Sequence, residues 1–340
     1  MWSKKYFIAF FVSLFVSLLV TPLFRKIAYK LNFLDYPDER KNHPAPIPVL
    51  GGLAVYAALV SGIFLTFYYS HASKVILLSG LIMLLVGMVD DKKAIPPTVK
   101  VLILFILVIA LSRFGVLINL FHSYIPDVLI TLFWVILVTS AVNAVDNMDG
   151  LACGIGAISS ALFFIAALRT SQYIFGIISA ALFGATLGFL PYNFKPAKIF
   201  LGNGGSLFLG FTLASIAIMA DWSSYPLISY VIPAFILIIP IFDLAFVVLW
   251  RMRKGVTKSI KEAVIYSARD HLSHRLENLG LTQRRAVVIL YLLNLGIGMS
   301  AVIILPVDSP FEAAFLLFQS FVILLILATV INIGWRDLKR

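Results

Sequence analysis

Asp90 and Asp91 stand side by side at the end of an apolar run, and the chain continues as KKAIPPTVK to Lys100. Adjacent carboxylates repel, so one of them holds its proton more tightly unless a cation neutralises the pair. A raised pKa suits a general base, whereas a metal suits two ionised groups. Lys100 follows about two and a half helical turns later, where it could meet a phosphate. A second cluster, NAVDNMDGLACG from Asn143 to Gly154, places Asn143, Asp146 and Asp149 at i, i+3 and i+6. On a helix the first two share a face and the third is offset, with Gly150 letting the backbone depart. Oxygen-only ligands of this kind suit Mg²⁺, with Mn²⁺ the alternative. An Asn/Asp-rich turn without metal is the plainer account.

Three further stretches bring phosphate-binding chemistry. FLGNGGS, Phe200 to Ser206, is a glycine turn preceded by PYNFKPAK. Consecutive N–H groups in such a turn, leading into a helix, form an anion-binding nest. No Gly-Lys-Ser/Thr follows, so it is not a Walker A loop. Phe200 could stack on a base or simply pack at a membrane rim. RDHLSHR, Arg269 to Arg275, sets His271 and His274 three apart between arginines. That spacing occurs in zinc sites, but no third ligand follows and the basic flanks favour phosphate. Generic binding of inner-leaflet lipid is the competing account of this loop. DYPDERKNHPAPIPVLGG, from Asp35 to Gly52, clusters Arg40, Lys41 and His43 among prolines that stiffen an extended loop.

The elements that must hold these residues are membrane helices. Of 340 residues, 61% are apolar and only 13% charged, with a mean hydropathy of +1.00. A soluble domain is about a quarter charged. Apolar runs near 6–24, 49–69, 74–89, 98–118, 126–143, 152–169, 173–191, 205–221, 227–249, 286–306 and 312–334 predict about 11 transmembrane helices. The fold class expected is all-α and polytopic, one integral-membrane domain over residues 1–340. Its loops fall near 25–48, 90–98, 143–151, 192–204 and 251–285. The first apolar run lacks a small-residue cleavage site and reads as a retained helix. Cys153 is the only cysteine, which excludes an intramolecular disulfide and a cysteine metal cage.

The net charge of +11 is explained by loop asymmetry rather than by nucleic acid. With only Lys4, Lys5, Lys74, Arg113 and Arg169 on the other side, one side holds 22 of the 27 Lys and Arg residues. That side is expected to be cytoplasmic, with the N-terminus outside and the C-terminus inside. Asp90, Asp91, Asp146, Asp149 and Asn203 all fall at its helix ends. A carboxylate in a bilayer costs about 2.5–3.5 kcal/mol on insertion scales, so such residues face partners or a wet cavity. A solvated helix end would explain any one of them, but less readily four on one face. A transporter or lipid flippase would also suit many spans and buried acids, although transporter sites lie near the midplane.

The chain resembles the bacterial polyprenyl-phosphate N-acetylhexosamine-1-phosphate transferases, with phospho-MurNAc-pentapeptide translocase a more distant relative. The resemblance rests on RKNHP from Arg40 with Gly51-Gly52, Asp90-Asp91 through Lys100, NAVDNMDGL from Asn143, FLGNGGS from Phe200, PIFD ending at Asp243, and HLSHR from His271. It implies attack of undecaprenyl phosphate on the β-phosphorus of a UDP-N-acetylhexosamine, with UMP released and Mg²⁺ on the diphosphate. By motif position Asp90 is the candidate base or lipid-phosphate organiser, Asp91 its partner, and Lys100 a phosphate ligand. The resemblance makes Asn143 a metal-side ligand and gives Asp146 and Asp149 the nucleotide and metal site. Phe200 would flank the uracil, and His271, His274 and Arg275 would bind the sugar diphosphate. It also implies a bacterial inner-membrane enzyme of surface-polysaccharide synthesis with a cytoplasmic active site, and leaves a homodimer open. Two departures stand out. Ser273 occupies a position where the motif usually carries histidine. Asn203 replaces an aspartate that is a metal ligand in the family, which points to a catalytically weakened member as the alternative.

Overall fold

Helix α1 (Trp2–Lys30) turns its large apolar side chains outward: Phe7, Phe11, Phe15, Leu19 and Leu23 are exposed, while Ser13, Ser17 and Thr21 are buried. In water that arrangement would be inverted. Lipid tails are as apolar as phenylalanine, so nothing is gained by hiding it, and small polar groups allow close packing inside. Ser13 Oγ donates to the Ala58 carbonyl at 3.0 Å and Ser17 Oγ to that of Ala185 at 2.7 Å, both on neighbouring helices.

The computed structural model describes residues 2–37, 45–67, 70–219, 222, 226–266, 268–305 and 310–337. Arg40, Lys41 and His43 lie outside the described residues. After α1, a two-residue ribbon pairs β1 (Leu34–Asp35) antiparallel with β2 (Ile47–Pro48). Then come α2 (Gly51–Phe64), α3 (His71–Lys92), α4 (Pro97–Ser112), α5 (Tyr124–Ala144), α6 (Leu151–Arg169), α7 (Tyr173–Asn193) and α8 (Gly202–Met219). The chain continues through α9 (Pro226–Ile236), α10 (Ile238–Arg253), α11 (Ile260–Ile265), α12 (Leu272–Asn278), α13 (Gln283–Ile304) and α14 (Pro310–Asp337).

Each of the eleven expected segments overlaps one helix or the α9–α10 pair, but the expected count of about eleven full spans is not reached among the described residues. Seven of the described helices are long and apolar enough to cross a membrane, and the bent pair makes an eighth. α2, α4 and the apolar stretch Leu317–Ile331 are shorter. α9 and α10 meet at 79°. Pro240 cannot donate to the carbonyl of Ile236. Ser159 Oγ donates to it instead, at 3.1 Å, so the break leaves no orphaned acceptor there.

α8 is the central helix, packed against α2, α3 and α5. Glycines let the backbones touch. A Cβ on Gly52 would lie 2.4 Å from the Gly205 Cα, and one on Gly87 2.4 Å from the Asn203 carbonyl. The first contact seats α2 on the start of α8, and the second seats the end of α3, with its paired aspartates, on the same turn.

Candidate active site

Asp90 and Asp91 close the last turn of α3, and their carboxylates diverge. Asp90 Oδ2 accepts Lys100 Nζ at 2.6 Å, and its Oδ1 accepts the Ile95 N–H at 2.7 Å. The prolines at 96 and 97 reverse the chain, so Lys100 in the first turn of α4 comes back onto Asp90. The extended helical spacing expected from sequence is replaced by this direct ion pair.

Asp91 points the other way, into the start of α8. Its carboxylate accepts the N–H groups of Asn203 at 3.0 Å and Gly204 at 3.4 Å, and the Asn203 side chain hydrogen-bonds to it as well. Gly202 has a φ of +75°, which aims these N–H groups. The nest expected to hold a phosphate therefore receives an anion from the protein itself. Ser206, one turn into α8, donates to Asn143 Oδ1 at 2.7 Å and joins α8 to the end of α5.

Asn143, Asp146 and Asp149 do not share a helix. α5 stops at Ala144, residues 145–150 turn, and Gly150 starts α6 with a φ of +81°. Among the described residues none donates a hydrogen bond to the Asp146 carboxylate. Loss of hydration pushes Asp146 up to about 7, and the charges of Asp91 and Asp149 add to the shift. Asp149 Oδ2 accepts the Ala197 N–H at 3.0 Å, with Lys195 Nζ 3.6 Å away. The PYNFKPAK segment thus folds over Asp149, and half-buried Phe200 follows it. Tyr291 on α13 donates to the Gly150 carbonyl and pins the turn from below.

The two histidines are also separated. His271 is the residue before α12, and its Nδ1 lies 2.7 Å from Asp243 Oδ2 on α10. Asp243 Oδ1 accepts the Leu272 N–H at 2.7 Å, so the carboxylate caps α12 and orients the imidazole together. Among the described residues His271 Nε2 has no hydrogen-bond partner. His274 is buried within α12, and burial followed by the Arg269 charge lowers its pKa, which favours the neutral ring. Arg275 is 1% exposed, with its guanidinium over the Trp250 and Phe246 rings and Nε on the Asp270 carbonyl. It is buried against these groups and not at an open surface.

Two links were invisible in the spacing. Ser273 Oγ donates to Asn147 Oδ1 at 2.6 Å across 126 residues, tying α12 to the Asp146 turn. Arg251 makes a two-pronged ion pair with Asp270 at 2.8 and 2.6 Å, fixing the segment that leads to His271. Asp243 stood in a quoted motif without a role, and Asn147 and Asp270 lay inside two others. Their neighbours in the motifs were the available signal.

Residues from α3, the α5–α6 turn, the α7–α8 connection, α8, α10 and α12 thus form one connected network at one end of the bundle. A family model for glycosyl transferase family 4 matches residues 73–221, which span Asp90 to Gly205. A probable undecaprenyl-phosphate N-acetylglucosaminyl 1-phosphate transferase of Bacillus subtilis (strain 168) is 32% identical over 307 residues, 87% of this chain and 84% of the relative. A decaprenyl-phosphate N-acetylglucosaminephosphotransferase of Mycobacterium tuberculosis (strain ATCC 25618 / H37Rv) is 30% identical over 309 residues, 79% of this chain and 74% of the relative. The undecaprenyl-phosphate alpha-N-acetylglucosaminyl 1-phosphate transferase of Escherichia coli (strain K12) is 29% identical over 283 residues, covering 79% and 75%. With likeness at this level over most of both chains, and with the motifs joined in one site, the chain belongs to the polyprenyl-phosphate N-acetylhexosamine-1-phosphate transferase family.

Proposed function

We propose that the chain transfers an N-acetylhexosamine-1-phosphate, GlcNAc-1-phosphate foremost, from a UDP-sugar to undecaprenyl phosphate and releases UMP. The observation that carries this is the carboxylate network of Asp91, Asp146 and Asp149, joined through Asn147 and Ser273 to the His271 helix. The bond formed joins a lipid-phosphate oxygen to the β-phosphorus. The bond broken joins that phosphorus to the oxygen bridging it to UMP. Little covalent chemistry falls to the protein, so positioning and charge neutralisation carry catalysis.

Asp90 and Lys100 form the acceptor side. The lysine offers its charge to the lipid phosphate, and Asp90 orients it and accepts a proton from a monoprotonated phosphate. Asp149, Lys195 and Phe200 form the nucleotide side, and His271, braced by Asp243, reaches the sugar diphosphate through Nε2.

Mg²⁺ is part of the proposal. Among the described residues Asp146 has like charges around it and no hydrogen-bond donor, an arrangement a divalent cation would relieve. Among the described residues no three His, Cys, Asp or Glu side chains form a metal cage. Mg²⁺ commonly retains waters and takes substrate phosphates beside a few protein oxygens. Asp146, Asp91 and the Asn143 amide oxygen would hold it, and Asn203 would steady Asp91. When bound, the ion neutralises charge on the diphosphate. The proposal includes eleven membrane segments, the N-terminus outside, and a site on the cytoplasmic face of the bacterial inner membrane.

The test is Mg²⁺-dependent exchange of labelled UMP into UDP-GlcNAc by purified protein with undecaprenyl phosphate present. Exchange that needs both lipid and Mg²⁺ is expected. Uptake of substrate by proteoliposomes without any UMP formation would instead make the chain a transporter.

A further inference from the structure

The α10–α11 region carries a surface that the proposed reaction does not use. α10 leaves the bundle with Leu249 67% exposed and Met252 40% exposed, and the exposed apolar series continues through Val256, Ile260 and Val264. At about 100° per residue, Ile260, Val264, Lys261 and Ile265 occupy an arc of about 140° on α11. All four are exposed, whereas Ala263 on the other side is fully buried. The segment is braced: Arg251, paired with Asp270, also donates to the Ala263 carbonyl. Ser259 caps α11 by accepting the Glu262 N–H.

Its charge is one-sided. Arg253, Lys254, Lys258 and Lys261 are exposed; Glu262 has its carboxylate on the Lys258 N–H, and Asp270 is buried against Arg251. An apolar edge with cations along it, continuous with the lipid-facing side of a membrane helix, matches an interfacial helix. Basic residues next to a spanning helix are drawn to anionic headgroups. Tyr266, 46% exposed at the end of α11, has the amphipathic ring that interfaces favour.

We propose that α11 and its flanks lie in the headgroup layer of the bilayer surrounding α10. Ile260, Val264 and Ile265 enter the upper acyl region, and Lys254, Lys258 and Lys261 meet anionic headgroups. The bilayer then braces the Arg251–Asp270 segment that leads to His271.

The test uses the full chain in lipid nanodiscs, with the fully buried Cys153 left in place. Spin labels are attached to Ile260→Cys, Ile265→Cys and Glu262→Cys separately. Labels at 260 and 265 are expected to lose access to a water-soluble nickel chelate while still colliding with oxygen, and the label at 262 to keep chelate access. Adding phosphatidylglycerol to phosphatidylcholine should deepen the first two, and the combined Lys254→Gln, Lys258→Gln and Lys261→Gln change should abolish that deepening. Equal chelate access at all three sites overturns the proposal. So does indifference of depth to phosphatidylglycerol, and so does a short distance between labels on two copies that persists at high lipid-to-protein ratio.

Discussion

The two ends of α5 use carboxylates in opposite ways. Asp127, in the first turn, is 1% exposed and accepts three backbone N–H groups, from Leu120 at 3.1 Å, Phe121 at 2.8 Å and Ser123 at 3.0 Å. It folds the preceding connection back onto the helix, and Thr131 extends the arrangement by accepting the Ile118 N–H. Asn143 sits in the last turn, roughly 24 Å away by helical rise, with Asp146 just beyond. There the carboxylate has like charges around it and no donor among the described residues. A saturated buried carboxylate is part of the scaffold. One kept short of donors among other acids is the group that the proposed cation would neutralise.

The largest test of that contrast is Asp146→Asn. Exchange should fall on the order of 10²–10³-fold, the scale for losing one electrostatic contact in a transition state. Folding should not suffer, because a repelling charge has been removed. Asp146 is raised from 3.8 to about 7, so the folded protein holds its proton more tightly than the unfolded chain between those values. Metal-free protein should therefore lose stability as pH rises through that window and keep it at the acid end. The Asn variant should lack this slope in melting curves taken with a chelator. Apparent Mg²⁺ affinity should rise with pH through about 7 in the parent chain. An exchange rate like the parent's would leave Asp146 with no more of a role than a loop residue.

Asp127→Ala should do the reverse. It strands three N–H groups, each worth about 1–3 kcal/mol when unsatisfied, though water at the helix end will recover part of this. A net loss of about 3 kcal/mol is expected. Exchange per folded molecule should stay at the parental level. If activity fell while the melting temperature held, the two ends of α5 would not be divided as described.

Much of this was legible from the residues. Apolar runs located the helices, because lipid demands long apolar segments, and the motifs named nearly every group in the network. The geometry within motifs was not legible. Spacing suggested that Asn143, Asp146 and Asp149 lie along a helix and that His271 and His274 share a face. Yet α5 ends at Ala144 and Gly150 starts the next helix, and Asp243, 28 residues away, holds the His271 ring while it caps α12. Nor could spacing show that Lys100 returns to Asp90, since the reversal depends on two prolines and on the fit of α4 beside α3. Long-range partners such as Ser273 and Asn147 leave no periodic trace at all.

Asn203→Asp sharpens the comparison by adding a carboxylate where acids already crowd. The amide donates to Asp91, and an aspartate cannot. Without metal, the variant should melt earlier than the parent. With Mg²⁺ the order should invert, because the new charge strengthens cation binding. A rise in affinity of roughly tenfold is the scale on which ligand-shell changes act. Melting curves against Mg²⁺ concentration read this without any turnover. An unchanged Mg²⁺ response would place residue 203 outside the reach of the ion.

The smallest effect should come from Ser273→Ala. Ser273 is 1% exposed and its hydroxyl bonds Asn147 Oδ1 at 2.6 Å, while Asn147 Nδ2 holds the Ala144 carbonyl at 2.7 Å. The amide is thus clamped between the end of α5 and α12, and the clamp sets the distance between the carboxylate turn and His271. Removing the hydroxyl costs one hydrogen bond, about 1 kcal/mol. That corresponds to roughly fivefold in kcat/KM. The loss should appear in KM for the UDP-sugar, because the bond orders the donor site whether or not the reaction has begun. Ser273→Thr keeps the hydroxyl and should restore it. Asn147→Ala combined with Ser273→Ala should cost no more than Asn147→Ala alone, since either change opens the same clamp. Additive losses in that cycle would mean that the two residues act on the substrate separately, and the link between α12 and the carboxylate turn would carry no functional weight.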